Sequence, residues 1–178
     1  MSEHLKEARN NVYLVGPMGV GKTTIGKLLA DELKLSFIDT DREIERRTGA
    51  DIPWIFDVEG EQGFRLRESR VLADLSESGG QILATGGGIV LDHANREIIK
   101  KTGCCVYLTA DVSQLVSRVG KDKKRPLLQQ DNPRSVLERV LKTRDPLYRE
   151  VATWVVQTDT RPPRQVAGEI VRLIRAAA

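Results

Sequence analysis

The sequence has 178 residues, of which 40% are hydrophobic and 30% charged, and its 28 basic and 25 acidic residues leave a net charge of +3. These values are typical of one α/β domain, and the even spread of charge argues against nucleic acid or a membrane as a partner. Residues 1–10 lack an apolar signal core and no apolar run approaches the ~20 residues that cross a bilayer, so we expect a cytoplasmic protein.

A phosphate-binding loop follows the first predicted strand, residues 11–15. Residues 16–23 read GPMGVGKT and lead into a predicted helix over 22–33. In such a loop, glycines let backbone N–H groups face the phosphates, the lysine reaches the β and γ oxygens, and the next hydroxyl ligates Mg²⁺. The sequence therefore predicts a nucleoside triphosphate site with Mg²⁺, held in part by Lys22 and Thr23.

Two carboxylates, Asp39 and Asp41, follow the second predicted strand, residues 36–38. Residues two apart in an extended segment point to the same side, so both can face the phosphate loop. A phosphotransferase needs one carboxylate near Mg²⁺, usually through its water shell, and another that orients the accepting hydroxyl and takes its proton. We expect Asp39 in the first role and Asp41 in the second, with capping of the next helix as the alternative for Asp41.

Two arginines come from separate predicted helices. Arg65 lies in the third helix, where Glu68 can brace it, and Arg144 ends a helix just before Pro146. Guanidinium groups that converge from different segments suit a carboxylate, although each arginine taken singly is more typical of a solvated surface.

Three consecutive glycines, Gly86, Gly87 and Gly88, follow the third predicted strand, where many phosphate-loop enzymes carry a metal-binding aspartate. They expose backbone N–H groups and remove side-chain bulk, so a small ligand can lie against the chain. A simple tight turn is the alternative.

The charged segment KDKKRPLL, residues 121–128, does not belong to a core. It is either a solvated loop or part of a lid, over about 120–132, that closes on the nucleotide with Arg125 neutralising the transferred charge. A lid would suppress transfer of the phosphoryl group to water.

Strands and helices alternate along the whole chain. Apolar runs predict strands over 11–15, 36–38, 81–84, 104–108 and 153–157, and helical patterns cover 22–33, 41–48, 61–76, 93–102, 112–119, 134–144 and 163–175. This order indicates an α/β fold of three layers, a mostly parallel five-stranded sheet flanked by helices, with ligands beyond the carboxyl ends of the strands. The two cysteines are adjacent in the fourth strand, which fits neither a disulfide framework nor a zinc site.

Together these motifs resemble those of the shikimate kinases. The phosphate loop is joined, in the order and spacing of that family, by Asp-Thr-Asp at 39–41, Phe-Arg-x-x-Glu at 64–68, Gly-Gly-Gly at 86–88, Arg-Pro-Leu-Leu at 125–128 and Arg-x-Pro-Leu-Tyr at 144–148. The resemblance spans residues 11–178. It implies the P-loop kinase fold in one domain, with ATP-dependent phosphorylation of the 3-hydroxyl of shikimate, a step toward chorismate and the aromatic amino acids.

The resemblance also implies roles for individual residues. Shikimate would be held by Asp41, Arg65, Gly86, Gly87, Gly88 and Arg144, within a substrate-binding helical segment of about 41–78. ATP would be held by Gly19, Val20, Gly21, Lys22, Thr23, Thr24, Arg125 and Arg161. Thr23 would ligate Mg²⁺ with Asp39 in the outer shell, the catalytic residues would be Lys22, Asp41 and Arg125, and the protein would be a monomer.

Two other functions stay open at this stage. A kinase of another small acceptor, such as gluconate or a nucleoside monophosphate, would share the nucleotide site but not an acceptor pocket of two arginines and three glycines. A nucleotide switch is the alternative of another class. Residues 57–60, DVEG, match the D-x-x-G of such switches, but the sequence contains no Asn-Lys-x-Asp guanine-reading motif.

Overall fold

The computed structural model describes residues 10–120 and 132–178. The strands are β1 (Asn11–Val15), β2 (Ser36–Asp39), β3 (Gln81–Ala84), β4 (Gly103–Thr109) and β5 (Trp154–Gln157). The helices are α1 (Lys22–Leu33), α2 (Thr40–Thr48), α3 (Ile52–Ser76), α4 (His93–Thr102), α5 (Val112–Val119), α6 (Pro133–Val151) and α7 (Pro163–Ala177), with a 3₁₀ turn at Ile89–Leu91. All five predicted strands are present.

The sheet has the order β2-β3-β1-β4-β5, and every neighbouring pair is parallel. β1 lies in the centre and is buried along its whole length, as its apolar sequence predicts for a sheet covered on both faces. The carboxyl ends of β1, β2 and β3 therefore meet at one edge. This arrangement brings together the phosphate loop, the Asp39–Asp41 segment and the three glycines.

Two hydrophobic clusters fill the spaces above and below the sheet. One packs α1 and α7 against the sheet through Leu29, Val166 and Ile170, and the other packs α3 and α6 through Leu72 and Tyr148. The three-layer α/β prediction is confirmed. Among the residues that the structure describes, no helix is long and apolar enough to pass through a membrane.

The largest differences from the predicted helices are in α3 and α6. The sequence predictions missed the helical residues 52–59, which precede the predicted helix over 61–76. This stretch begins at Ile52 because the Asp51 side chain accepts from the Trp54 N–H and Pro53 favours the first turn. The helix is interrupted at Gly60, whose φ of 72° and ψ of 178° lie outside helical geometry.

α6 also runs further than predicted. We expected it to end at Arg144, but it continues through Pro146 to Val151. Proline removes one helical hydrogen bond, yet Tyr148 and Val151 are buried in the core beneath this segment and hold it in place. As a result, Arg144 and Tyr148 lie one turn apart on the same face of α6.

Candidate active site

The phosphate loop connects β1 to the first turn of α1. Gly19 and Gly21 have φ values of 81° and 104°, in the region that favours glycine, and Gly21 caps α1. The Lys22 Nζ donates to the carbonyl oxygens of Gly16 and Pro17, at 2.6 and 2.9 Å. The loop is therefore closed around its own lysine, with the N-terminus of α1 directly behind it.

Thr23 and Asp39 meet beside this loop. The Thr23 Oγ1 donates to Asp39 Oδ2 at 2.7 Å, while Asp39 Oδ1 accepts from the backbone N–H groups of Asp41 and Arg42, at 3.0 and 3.2 Å. Asp39 is therefore the cap of α2, and the alternative in which Asp41 caps that helix is wrong. Asp41 stands in the first turn of α2, and its carboxylate lies against Gly86.

The three glycines each face a different predicted substrate residue. A Cβ on Gly86 would lie 2.8 Å from both Asp41 Oδ1 and Glu68 Oε2, one on Gly87 would lie 3.4 Å from Arg144 Nη1, and one on Gly88 would collide with the Arg65 guanidinium. Residues from three helices thus converge on one short stretch of backbone. The simple tight turn does not account for this crowding.

The three glycines adjoin the phosphate loop. The Gly16 carbonyl oxygen that accepts from Lys22 also lies 3.6 Å from the point where a Cβ on Gly87 would stand. On the other side, the Gly86 N–H donates to Thr40 Oγ1 at 3.3 Å, which fixes the start of α2 against the glycines. Residues 86–88 therefore lie between the phosphate loop and the start of α2.

Glu68 lies beside Gly86 with a side chain that is 1% exposed. Its Oε1 accepts from Arg65 Nη1 at 2.9 Å, as predicted for a bracing residue. Its Oε2 is buried and has no hydrogen-bond partner among the described residues. Burial raises the pKa of Glu68 to about 7, with Asp41 adding to the rise and Arg65 and Arg144 opposing it.

A cavity of about 320 Å³ opens on the other side of the phosphate loop. Arg118 crosses its wall and donates to the carbonyl oxygens of Gly19 and Val20, at 3.3 and 3.4 Å. Arg161 lines the same cavity, with its guanidinium held by the Gln157 carbonyl at 2.9 Å and by Glu169. The remaining lining includes Gly21, Thr24, Ile25, Thr158, Pro163 and Val166.

Sequence reasoning missed Arg118, Thr158 and Pro163. Arg118 and Pro163 carry no recognisable motif, whereas the position of Thr158 directly after β5 was a usable signal, because ligands bind beyond the carboxyl ends of strands. Arg125 and the segment predicted as a lid lie outside the described residues, apart from the ends of that range.

A phosphate loop at the edge of a parallel α/β sheet, beside a small pocket with two arginines, defines a P-loop kinase of a small acceptor. The family model for shikimate kinase matches residues 18–175. Shikimate kinases of Hahella chejuensis and Pseudomonas aeruginosa are each 54% identical, covering 96% and 93% of this chain and 89% and 96% of their own length. The structure of the Acinetobacter baumannii shikimate kinase in complex with shikimate matches with a TM-score of 0.93 at 49% identity, over 99% of this chain and 98% of that one.

The chain belongs to the shikimate kinase family. The resemblance in motifs is confirmed, and so are the enzyme class and the ATP-dependent phosphorylation of shikimate that it implied. These relatives support neither a nucleotide switch nor a kinase of another acceptor.

Proposed function

We propose that the pocket between Asp41, Arg65 and Arg144 holds shikimate, and that the 3-hydroxyl accepts the γ-phosphoryl group of ATP. The observation that carries this proposal is the convergence of Asp41, Arg65 and Arg144 on residues 86–88, where a Cβ on Gly86 or Gly88 would lie under 3.0 Å from a side chain. Such a pocket suits one small ligand that lies flat against glycine backbone.

The carboxylate of shikimate would bind between Arg65 and Arg144. Two guanidinium groups from α3 and α6 give a planar, charge-assisted set of donors for one carboxylate. Asp41 would hold the ring hydroxyls, orienting the 3-hydroxyl first and accepting its proton late, because the transition state of phosphoryl transfer is loose. Gly86, Gly87 and Gly88 would form the wall behind the ring.

The phosphates of ATP would lie over Gly19, Val20, Gly21, Lys22, Thr23 and Thr24. Lys22 would exchange the carbonyl oxygens of Gly16 and Pro17 for the β and γ oxygens of the nucleotide. The nucleoside would extend into the cavity lined by Arg161, as predicted, and also by Arg118 and Pro163. For Arg125 the prediction stays that the lid would bring its charge to the γ-phosphate.

The residues present fit Mg²⁺. The Thr23 hydroxyl and the Asp39 carboxylate give two hard oxygen atoms 2.7 Å apart beside the phosphate loop, and phosphates and water usually complete the coordination of this ion. Thr23 would be the direct ligand and Asp39 would act through the water shell. When bound, Mg²⁺ neutralises charge on the β- and γ-phosphates.

The test is ADP release from ATP and Mg²⁺ with and without shikimate, with quinate and gluconate as control acceptors. We expect turnover that depends on shikimate, with the product phosphorylated at the 3-hydroxyl as read by phosphorus NMR. Faster turnover with gluconate would favour the other-acceptor kinase, and slow hydrolysis that no acceptor accelerates would favour a switch.

We also propose that the enzyme works as a monomer in the cytoplasm. Described residues of one chain supply both the nucleotide cavity and the acceptor pocket, so the site needs no second copy. ATP as co-substrate suits a cytoplasmic location. Sedimentation at assay concentration tests the first point, and fractionation of cells tests the second.

A further inference from the structure

Tyr148 connects the two walls of the acceptor pocket. Its side chain is fully buried on α6, one turn after Arg144. Its hydroxyl donates to the Gly87 carbonyl oxygen at 2.5 Å, and the Arg144 guanidinium lies against the same glycine, with Nη1 3.4 Å from the point where a Cβ on Gly87 would stand. The hydroxyl therefore lies between the guanidinium on α6 and the glycine backbone after β3.

The Tyr148 hydroxyl lies between two groups of the proposed acceptor site, the Gly87 carbonyl and the Arg144 guanidinium. A phenol has one hydrogen to donate and can accept from another donor, so Tyr148 can bond Gly87 and Arg144 at the same time. Tyr148 is 0% exposed, so bulk solvent does not reach this hydroxyl. A Cβ on Gly87 would lie 3.4 Å from Arg144 Nη1 and 3.6 Å from the Tyr148 hydroxyl, which shows how closely the three groups are packed.

The other two tyrosines of the chain use their hydroxyls elsewhere. The Tyr107 hydroxyl donates to Asp145 Oδ1 at 2.6 Å. The Tyr13 hydroxyl is hydrogen-bonded to Thr102 Oγ1, also at 2.6 Å and away from the glycines. The Tyr107 ring packs against the Tyr148 ring, with centroids 4.9 Å apart and the two planes tilted by 36°. Both rings are therefore buried in the same part of the core, but their hydroxyls donate to different groups.

We propose that Tyr148 is a positioning residue for shikimate, whose hydroxyl fixes Arg144 and Gly87 relative to one another so that the guanidinium meets the acceptor carboxylate. The proposal rests on the proposed acceptor site. Without the hydroxyl, Arg144 gains freedom to turn within the pocket, and part of its contact with the carboxylate is lost on average. The loss falls on acceptor binding, because the hydroxyl contacts neither the phosphate loop side chains nor the nucleotide cavity.

The experiment compares Tyr148→Phe with the matched control Tyr107→Phe. Each variant keeps its ring and loses one buried phenolic hydroxyl, so both should lose stability to a similar degree. We expect Tyr148→Phe to raise the KM for shikimate about tenfold, since hydrogen bonds to charged groups are among the stronger ones, with the KM for ATP unchanged and kcat within about threefold. Tyr107→Phe should leave the KM for shikimate within about twofold. Equal changes in the two variants would overturn the proposal.

A double-mutant cycle with Arg144→Met separates this inference from the site assignment. If the hydroxyl acts through Arg144, Tyr148→Phe should add little to the KM for shikimate once the guanidinium is gone. An undiminished tenfold effect in that background would overturn the positioning role. If Arg144→Met alone leaves the KM for shikimate unchanged, the proposed acceptor site itself is wrong.

Discussion

Replacing Glu68 by glutamine should remove a pH dependence of stability that this carboxyl gives the protein. Its pKa of about 7 in the folded state compares with an ordinary value of 4.5, and burial is the largest cause. The folded state therefore holds the proton more tightly than the unfolded chain does. The stability that this group contributes is complete below pH 4.5 and is lost as the pH rises through about 7.

The magnitude follows from the difference between the two pKa values. At roughly 1.4 kcal/mol for each pKa unit, this group alone should lower the free energy of unfolding by about 3 kcal/mol as the pH rises from below 4.5 to above about 7. Glutamine keeps the size of the side chain and an oxygen for Arg65 but cannot ionise. The stability of Glu68→Gln relative to wild type should therefore rise by most of that amount between pH 5 and pH 8.

The assay is urea unfolding of both proteins at several pH values across this range. Glu32→Gln, which removes an exposed carboxylate from α1, corrects for the change in net charge. A difference between Glu68→Gln and wild type that stays flat from pH 5 to pH 8 would refute the reasoning, since it would mean that Glu68 titrates alike in the folded and unfolded states.

Three further predictions concern catalysis and binding. Lys22→Ala should lower the single-turnover rate at saturating ATP by roughly 10²- to 10³-fold, as one preorganised donor is commonly worth about 3–4 kcal/mol, and a rate within tenfold of wild type would contradict its role. Asp41→Asn should still bind shikimate in calorimetry but lose most of its turnover, and near-normal turnover would show that Asp41 does not take the proton. Gly88→Ala should weaken shikimate binding at least tenfold because the new methyl group collides with the Arg65 guanidinium, whereas Gly168→Ala, with nothing within 4 Å, should bind normally and gain up to about 1 kcal/mol in urea unfolding. Normal binding by Gly88→Ala would place the acceptor elsewhere.

The strands and the site motifs could be predicted because local sequence determines them. β1 and β4 are apolar runs that only a covered sheet accommodates, and the phosphate loop, Asp39 and residues 86–88 all follow strand ends, where parallel topology must bring them together. The contact between Glu68 and Arg65 could be predicted because residues three apart in a helix lie on the same face.

The features that were missed depend on tertiary contacts. The passage of α6 through Pro146 is favoured by burial of Tyr148 and Val151, which no local propensity reports. Arg118 lies 99 residues after Gly19 in the chain, and only the folded structure brings its side chain to the phosphate loop. The raised pKa of Glu68 likewise requires the burial and the neighbouring charges that only the folded structure supplies.

Asp39 contacts both the predicted Mg²⁺ ligand and the helix that carries the predicted shikimate-binding aspartate. One of its oxygen atoms holds Thr23 and the other holds the first turn of the helix that carries Asp41. Any shift of this carboxylate when the nucleotide arrives is passed directly to the residue that aligns the accepting alcohol. Binding of one substrate should therefore change the affinity for the other, so that ATP and shikimate do not bind independently.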